Sequence, residues 1–220
     1  MKRTDLTARQ SAPDALQLLI DGNRRFLLQA GDDAYGAAPS AAPGAAPGAA
    51  PGVTPEDLAS TRRLLSEQGQ APFAVILCCS DSRVCPEVVF DQGLGQLFVV
   101  RTAGNVADAI AIGSVEYAVE HLGSQLVVVL GHSKCGAVAA ALSGGDFGPN
   151  IAAIVSEITP SLAKDGSSEN TPDSVEDKNV RHTVAKLMSS SLLAGAVSAG
   201  HLQIVGAKYD LGTGIVDFFD

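Results

Sequence analysis

No apolar run in this chain is long enough to cross a bilayer. The opening residues, Met1-Lys2-Arg3-Thr4-Asp5, lead into polar sequence and lack the apolar core of a signal peptide. The expectation is a cytoplasmic protein with no membrane partner. Cations are also scarce: 15 Lys and Arg stand against 24 Asp and Glu, for a net charge of -9, and no basic stripe is present. That balance argues against nucleic acid as the main partner. Cysteine is sparse as well. There are four, and three of them (Cys78, Cys79 and Cys85) crowd together ahead of a distant Cys135. Such spacing is no secreted disulfide framework, and with His132 close to Cys135 it reads better as metal binding.

What remains is a chain of 220 residues, long enough for one domain with a real core. Ser11-Ala12-Pro13-Asp14 has the form of a capping box that starts a helix over 11–29. Leu16, Leu19, Ile20 and Leu27 then fall roughly on one face, which needs a surface to cover. Residues 37–52 are four tetrads, AAPS and three of AAPG. Proline in every unit forbids a helix or a central strand, so this is read as a disordered insertion. It serves as a spacer or, alternatively, as a docking segment. A second helix opens at Thr54-Pro55-Glu56-Asp57 and runs to about Gly69.

Beyond it the chain alternates. Strands are expected at 73–78, 96–100 and 125–130, with helices near 85–91, over 108–121 and from Cys135. A polar stretch at 164–173 precedes a helix from about 174. Two final strands, 202–206 and 214–219, are joined by a turn that holds Gly212 and Gly214. This rhythm implies an α/β fold in three layers. A mostly parallel four-stranded sheet carries a fifth, antiparallel edge strand, with helices on both faces and an N-terminal helical arm. The divisions are an arm over 1–36, the insertion over 37–53 and an α/β domain over 54–220 that forms one domain with the arm.

Two polar turns follow buried apolar runs. Cys79-Ser80-Asp81-Ser82-Arg83 follows Ala74-Val75-Ile76-Leu77, and His132-Ser133-Lys134-Cys135 follows Leu126-Val127-Val128-Val129-Leu130. Both turns should lie at the carboxyl edge of one sheet, where open α/β folds place their sites. Cys79, His132 and Cys135 offer zinc two sulfurs and a nitrogen with a fourth position open, a set suited to catalysis. A free cysteine alone is usually just a small buried hydrophobe; it is the pairing of the two motifs that argues for a metal. Two thiolates make zinc a poorer Lewis acid than three histidines would, so something must offset them. Asp81 is the candidate acceptor for a proton on bound water, with Arg83 anchoring it. A solvated surface ion pair is the plainer alternative for Asp81 and Arg83. Cys78 should face the other side of the sheet and pack there, and Cys85 should also pack. A vicinal Cys78–Cys79 disulfide is disfavoured by ring strain. His121, His182 and His201 read as ordinary polar residues.

These motifs, together with Val128-Val129-Leu130-Gly131 before His132 and Gly136 after Cys135, closely resemble the β-class carbonic anhydrases. The likeness extends to Leu19-Ile20-Asp21-Gly22-Asn23-Arg24-Arg25-Phe26, to Gly69-Gln70-Ala71-Pro72, to Phe98-Val99-Val100-Arg101-Thr102-Ala103-Gly104-Asn105 and to Gly206-Ala207-Lys208-Tyr209-Asp210. The tetrads interrupt it as an insertion. The resemblance implies one Zn²⁺ per subunit on Cys79, His132 and Cys135, and a catalytic dyad of Asp81 and Arg83. It implies substrate contacts from Gln70, Phe98, Tyr117 and the backbone N–H of Gly136. The implied reaction is reversible hydration of carbon dioxide to bicarbonate by zinc-bound hydroxide. The implied assembly is a homodimer or a dimer of dimers, with the pocket at the interface and the N-terminal helix wrapped over the partner. Some family members carry Trp next to an inhibitory bicarbonate site. Ile76 stands at that position and the chain has no Trp, so the sequence is similar to the subgroup without that site and an open metal site is expected at neutral pH. A CS₂ or COS hydrolase on the same fold, or a non-catalytic zinc or bicarbonate binder, are the competing readings.

Overall fold

The computed structural model describes residues 10–29, 55–162 and 170–219. The tetrad insertion and most of the polar stretch before 171 lie outside the described residues. The sheet is built from β1 (Ala74–Cys79), β2 (Leu97–Thr102), β3 (Leu126–His132), β4 (Gln203–Tyr209) and β5 (Val216–Phe219). Its order is β2-β1-β3-β4-β5, with every pair parallel except β4 and β5. The expected four parallel strands and antiparallel edge strand are therefore present. β1 and β3 are buried at every position, as strands covered on both faces must be.

Helices cover the two faces. They are α1 (Ala12–Gln29), α2 (Pro55–Gln68), α3 (Pro86–Val89), α4 (Ala109–His121), α5 (Gly136–Ser143), α6 (Pro149–Ile158), α7 (Pro172–Leu187) and α8 (Ser191–Ser198). Strand alternation sorts the core into two. Ala74, Ile76 and Cys78 of β1 pack with Ala15 and Leu19 of α1 and with Phe90. Val75 and Leu77 pack on the other side with Ala111 and Val115 of α4 and with Val180 and Leu187 of α7. Cys78 is fully buried, and burial pushes its thiol up to about 12, so it stays a neutral packing residue as expected.

Several boundaries differ from those expected from the sequence. Gly144, at φ 62°, ends α5 and Pro149 opens α6, so the stretch after Cys135 is two helices. Ser190 starts α8, its side chain accepting from the Leu193 amide. The strands also run further than expected: Cys79 ends β1 and His132 ends β3, so both sit on the sheet rather than beyond it.

The resemblance implied that the N-terminal helix wraps over a partner; within its own chain α1 buries Ala15 and Leu19 completely. Asn23 fastens it there, donating to the carbonyls of Val89 and Gly214 and accepting from the Val216 amide. The physical reason is that its apolar stripe fits the gap beside α3 and β5. Its start is the expected capping box: Ser11 Oγ bonds Asp14 Oδ2 at 2.5 Å and accepts from the Asp14 amide. Gly22 permits the contact, because a Cβ there would stand 1.8 Å from the Phe90 carbonyl oxygen. Gly22→Ala should therefore lose about 1–3 kcal/mol of stability through overpacking. A thermal melt checks this, and an unchanged midpoint would mean that α1 does not dock here.

Candidate active site

The strand order reverses between β1 and β3: from β1 the chain steps out to β2, then returns to build β3 on the other side. Helices leave such a point toward opposite faces and open a crevice at the carboxyl ends of the strands. Cys79 and His132 are the last residues of these two neighbouring strands. Cys135 follows one turn later as the N-cap of α5, and Lys134 at φ 59° makes that turn tight.

The structure brings together the three residues expected to hold metal. Cys79 Sγ, Cys135 Sγ and a ring nitrogen of His132 all lie within 4.8 Å of one another, and all three residues are buried. His132 Nδ1 lies 2.9 Å from the Ser133 carbonyl and donates to it, which leaves Nε2 as a lone-pair donor. That Nε2 is buried and without a hydrogen-bond partner among the described residues. An unpaired buried acceptor is costly unless something satisfies it. Two sulfurs and one free imidazole nitrogen are the donor set zinc takes, so the residues present fit that ion.

The sulfurs sit among backbone donors. Cys79 Sγ accepts from the Gly104 amide at 3.3 Å. A Cβ at Gly104 would meet Ile158 Cδ1 at 2.8 Å and Ala137 Cβ at 2.9 Å, and its φ is 74°, so glycine alone fits this turn. The hydrogen bond from the Cys135 thiol draws Cys79 well below the usual thiol range, against the cost of burial; His132 and the Gly104 and Asp81 amides add to it. Cys135 moves the other way because it keeps the shared proton and is itself buried. The shared proton thus favours charge on Cys79 over Cys135, and a dication favours losing that proton as well. Burial opposes a charge on His132, but the neighbouring Cys79 sulfur outweighs it and the net direction is upward.

Asp81 stands beside this group rather than in it. Its Oδ2 is 3.9 Å from His132 Nε2. Arg83 grips the carboxylate at both oxygens, Nε to Oδ1 at 2.9 Å and a terminal nitrogen to Oδ2 at 2.6 Å, while the Arg83 amide donates to Oδ1 at 2.9 Å. The same guanidinium reaches the Lys134 carbonyl at 3.3 Å and so ties the two motifs together. The Arg83 side-chain hydrogen bonds hold Asp81 well below the ordinary carboxylate range. Ile76 is fully buried in the core cluster that includes α1.

Three other expected site residues are not brought to this group within one chain. Gln70 is exposed, precedes β1 and so lies at the opposite end of the strand from Cys79; it lines a groove of about 470 Å³ with Arg62, Leu65 and Leu97. Phe98 pairs with Val75, four residues from the Cys79 level. Tyr117 lies on α4 with its ring 6.4 Å from that of Phe98 and is half exposed. Gly136 is in place, next to Cys135 at the start of α5.

Sequence reasoning gave no site role to several residues that shape the centre. Arg101 of β2 donates to the carbonyl of Cys79 at 3.2 Å and to that of Asp81 at 2.6 Å, clamping the first turn. Glu176 and Asn179 of α7 are buried against the second and third turns. The only sequence signal for them was a carboxylate and an amide three residues apart on a helix, which is ordinary for a solvated face.

Residues 74–216 match the family described as carbonic anhydrase. The chain is 47% identical over 154 residues to carbonic anhydrase 2 of Mycobacterium tuberculosis, covering 66% of this chain and 73% of the relative. It is 48% identical over 164 residues to the carbonic anhydrase of Mycolicibacterium smegmatis, covering 71% and 79%. Among solved structures it is similar to the Coccomyxa β-carbonic anhydrase in complex with acetazolamide, with 30% identity, a TM-score of 0.65 and coverage of 74% and 80%. The chain therefore belongs to the β-class carbonic anhydrases and catalyses, with zinc, the reversible hydration of carbon dioxide to bicarbonate.

Proposed function

We propose that Cys79, His132 and Cys135 hold one zinc per subunit and that Asp81 and Arg83 are the catalytic pair. The observation that carries this is the buried, unpartnered Nε2 of His132, grouped with two sulfurs and flanked by an Arg-fixed carboxylate. Bound there, zinc supplies the Lewis acidity that activates water for attack on carbon dioxide. Asp81 Oδ2, 3.9 Å from His132 Nε2, would accept a hydrogen bond from water held at this site and so orient it. Arg83 prevents the carboxylate from rotating away. Asp81 is too weakly basic to store the released proton at neutral pH, so it positions rather than shuttles. Metal analysis together with stopped-flow hydration across pH 6–9 tests the assignment; a zinc-loaded, inactive protein would reject the dyad.

Gln70, Phe98 and Tyr117 are proposed to serve substrate from a neighbouring subunit, with the Gly136 amide donated in cis. What supports this is their distance from the chain's own triad and the exposed apolar face of α4, where Ile110 and Tyr117 lie one above the other. The assembly proposed is a homodimer or a dimer of dimers. Ile110→Asp with Tyr117→Asp should halve the mass seen by light scattering, or reduce a tetramer, and depress hydration with zinc retained. Full activity in a monomer would reject it. The arm and residues 54–220 are proposed to form one domain, supported by the burial of Ala15 and Leu19 in its core. A cytoplasmic site is proposed from the free state of all four cysteines and the acidic charge. Among the described residues no helix is long and apolar enough to cross a membrane.

A further inference from the structure

One helix reaches both cysteine turns. Glu176 and Asn179 of α7 are three residues apart and share a face. Glu176 is 4% exposed and Asn179 is 1% exposed. Glu176 Oε1 accepts from the Cys135 amide at 3.2 Å. Asn179 Nδ2 donates to the Gly104 carbonyl at 2.8 Å, and the Gly104 amide in turn donates to Cys79 Sγ. The two sulfurs come from motifs more than fifty residues apart in sequence, and α7 touches the backbone that aims each of them.

We propose that Glu176 and Asn179 are positioning residues for the metal centre, and that α7 sets the separation of the two sulfurs. The proposal rests on the ligand assignment above. A purely structural role fits poorly. Burying a carboxylate to cap a single amide costs more than an apolar side chain of the same size. Lys208 lowers that cost, its Nζ lying 3.2 Å from Glu176 Oε2. Lys208 also pairs with Asp173 and Asp177, so it keeps partners when Glu176 is changed. Glu176 thus brings a fixed acceptor to the Cys135 amide, which holds that residue in its extended N-cap conformation at φ -71° and ψ 120°. Asn179 acts on the other sulfur. By tying down the Gly104 carbonyl it fixes the plane of the turn whose N–H meets Cys79. Outer hydrogen bonds of this kind orient ligands without touching metal.

The test uses the full chain and five variants: Glu176→Leu, Asn179→Leu, Glu176→Gln, Lys208→Met and, as a control on the same helix, Leu187→Ala. Leu187 is fully buried in the core cluster shared with α4 and α8. Zinc affinity is measured by chelator competition, and Co²⁺-loaded protein gives the thiolate-to-metal charge-transfer band. The two leucine variants should weaken zinc about 10- to 100-fold and shift or weaken that band. Glu176→Gln keeps an acceptor for the Cys135 amide and should recover most of the affinity. Lys208→Met leaves Glu176 without its ion pair and should fall between Gln and Leu. Leu187→Ala should lower the melting temperature and leave both metal readouts at the parent value. Leucine variants with parental affinity and spectrum would overturn the proposal, as would a loss in Leu187→Ala equal to theirs. Should a leucine variant fail to fold, Glu176→Ala and Asn179→Ala carry the same expectation and the same refutation. A parent protein that binds no zinc would reject the ligand assignment itself, a failure distinct from parental binding in the α7 variants.

Discussion

Cys135→Ala is expected to yield a protein with almost no zinc and almost no hydration activity. In the proposed site three side-chain atoms would hold the metal, so one deletion leaves a two-point grip. The loss goes further than one ligand. The hydrogen bond from the Cys135 thiol is the largest influence drawing Cys79 below the usual thiol range. Removing it raises the Cys79 thiol, and burial then acts unopposed by its strongest counterweight, so the surviving sulfur competes less well for metal at neutral pH. Lewis-acid stabilisation is worth several kcal/mol, and about 1.4 kcal/mol is tenfold in rate, so turnover should fall on the order of a thousandfold or more. Elemental analysis of the purified variant checks the first half and stopped-flow hydration the second. A zinc content near one per chain would show that the sulfur of Cys135 is not a ligand.

Asp81→Asn should keep its zinc and still lose about 10²- to 10⁴-fold in hydration rate. Asn has the same size, and Asp81 lies outside the three-atom group, so metal loading should survive. What changes is the hydrogen-bonding pattern: an amide offers one acceptor and one donor where the carboxylate offers only acceptors. Arg83 also loses its two-point ion pair and with it the reason to stay over the site. The same variant has a signature in acid. The folded Asp81 carboxyl titrates below its unfolded value, chiefly through Arg83. Its contribution to stability is therefore complete above the unfolded pKa and is lost as pH falls from about 4 toward the depressed value. Arg83 is half exposed, so solvent screens the pair and the contribution is small. Denaturation midpoints of parent and variant should converge as pH drops through that window. Unchanged hydration with full zinc would remove Asp81 from the mechanism.

The placement of the two motifs was legible because it is local. A parallel strand buried on both faces is a continuous apolar run, and the polar turn after it falls at the carboxyl edge by the handedness of the crossover. Cys79 and His132 could thus be assigned to one edge of the sheet from the runs Ala74–Leu77 and Leu126–Leu130 alone. The spacing of His132 and Cys135 across a helix start is set by backbone geometry, and so is the two-residue step from Asp81 to Arg83. The capping box at Ser11 and the alternation that turns Cys78 away from Cys79 belong to the same class of short-range consequence.

Tertiary structure decided the rest, because it depends on distances between segments far apart in the chain. How α1 seats on its own chain was a matter of shape, set by a glycine at 22 and three hydrogen bonds made by Asn23. The resemblance implied substrate contacts from Gln70, Phe98 and Tyr117, and within one chain the fold puts them away from the triad. Arg101, Glu176 and Asn179 carry no local mark of their work; each acts only because folding sets a buried donor or acceptor against a backbone group that would otherwise go unpaired. Residue order alone determined which atoms could meet a metal. Packing determined how firmly they are held there, since a hydrogen bond across the fold exists only once both of its partners have been brought within reach.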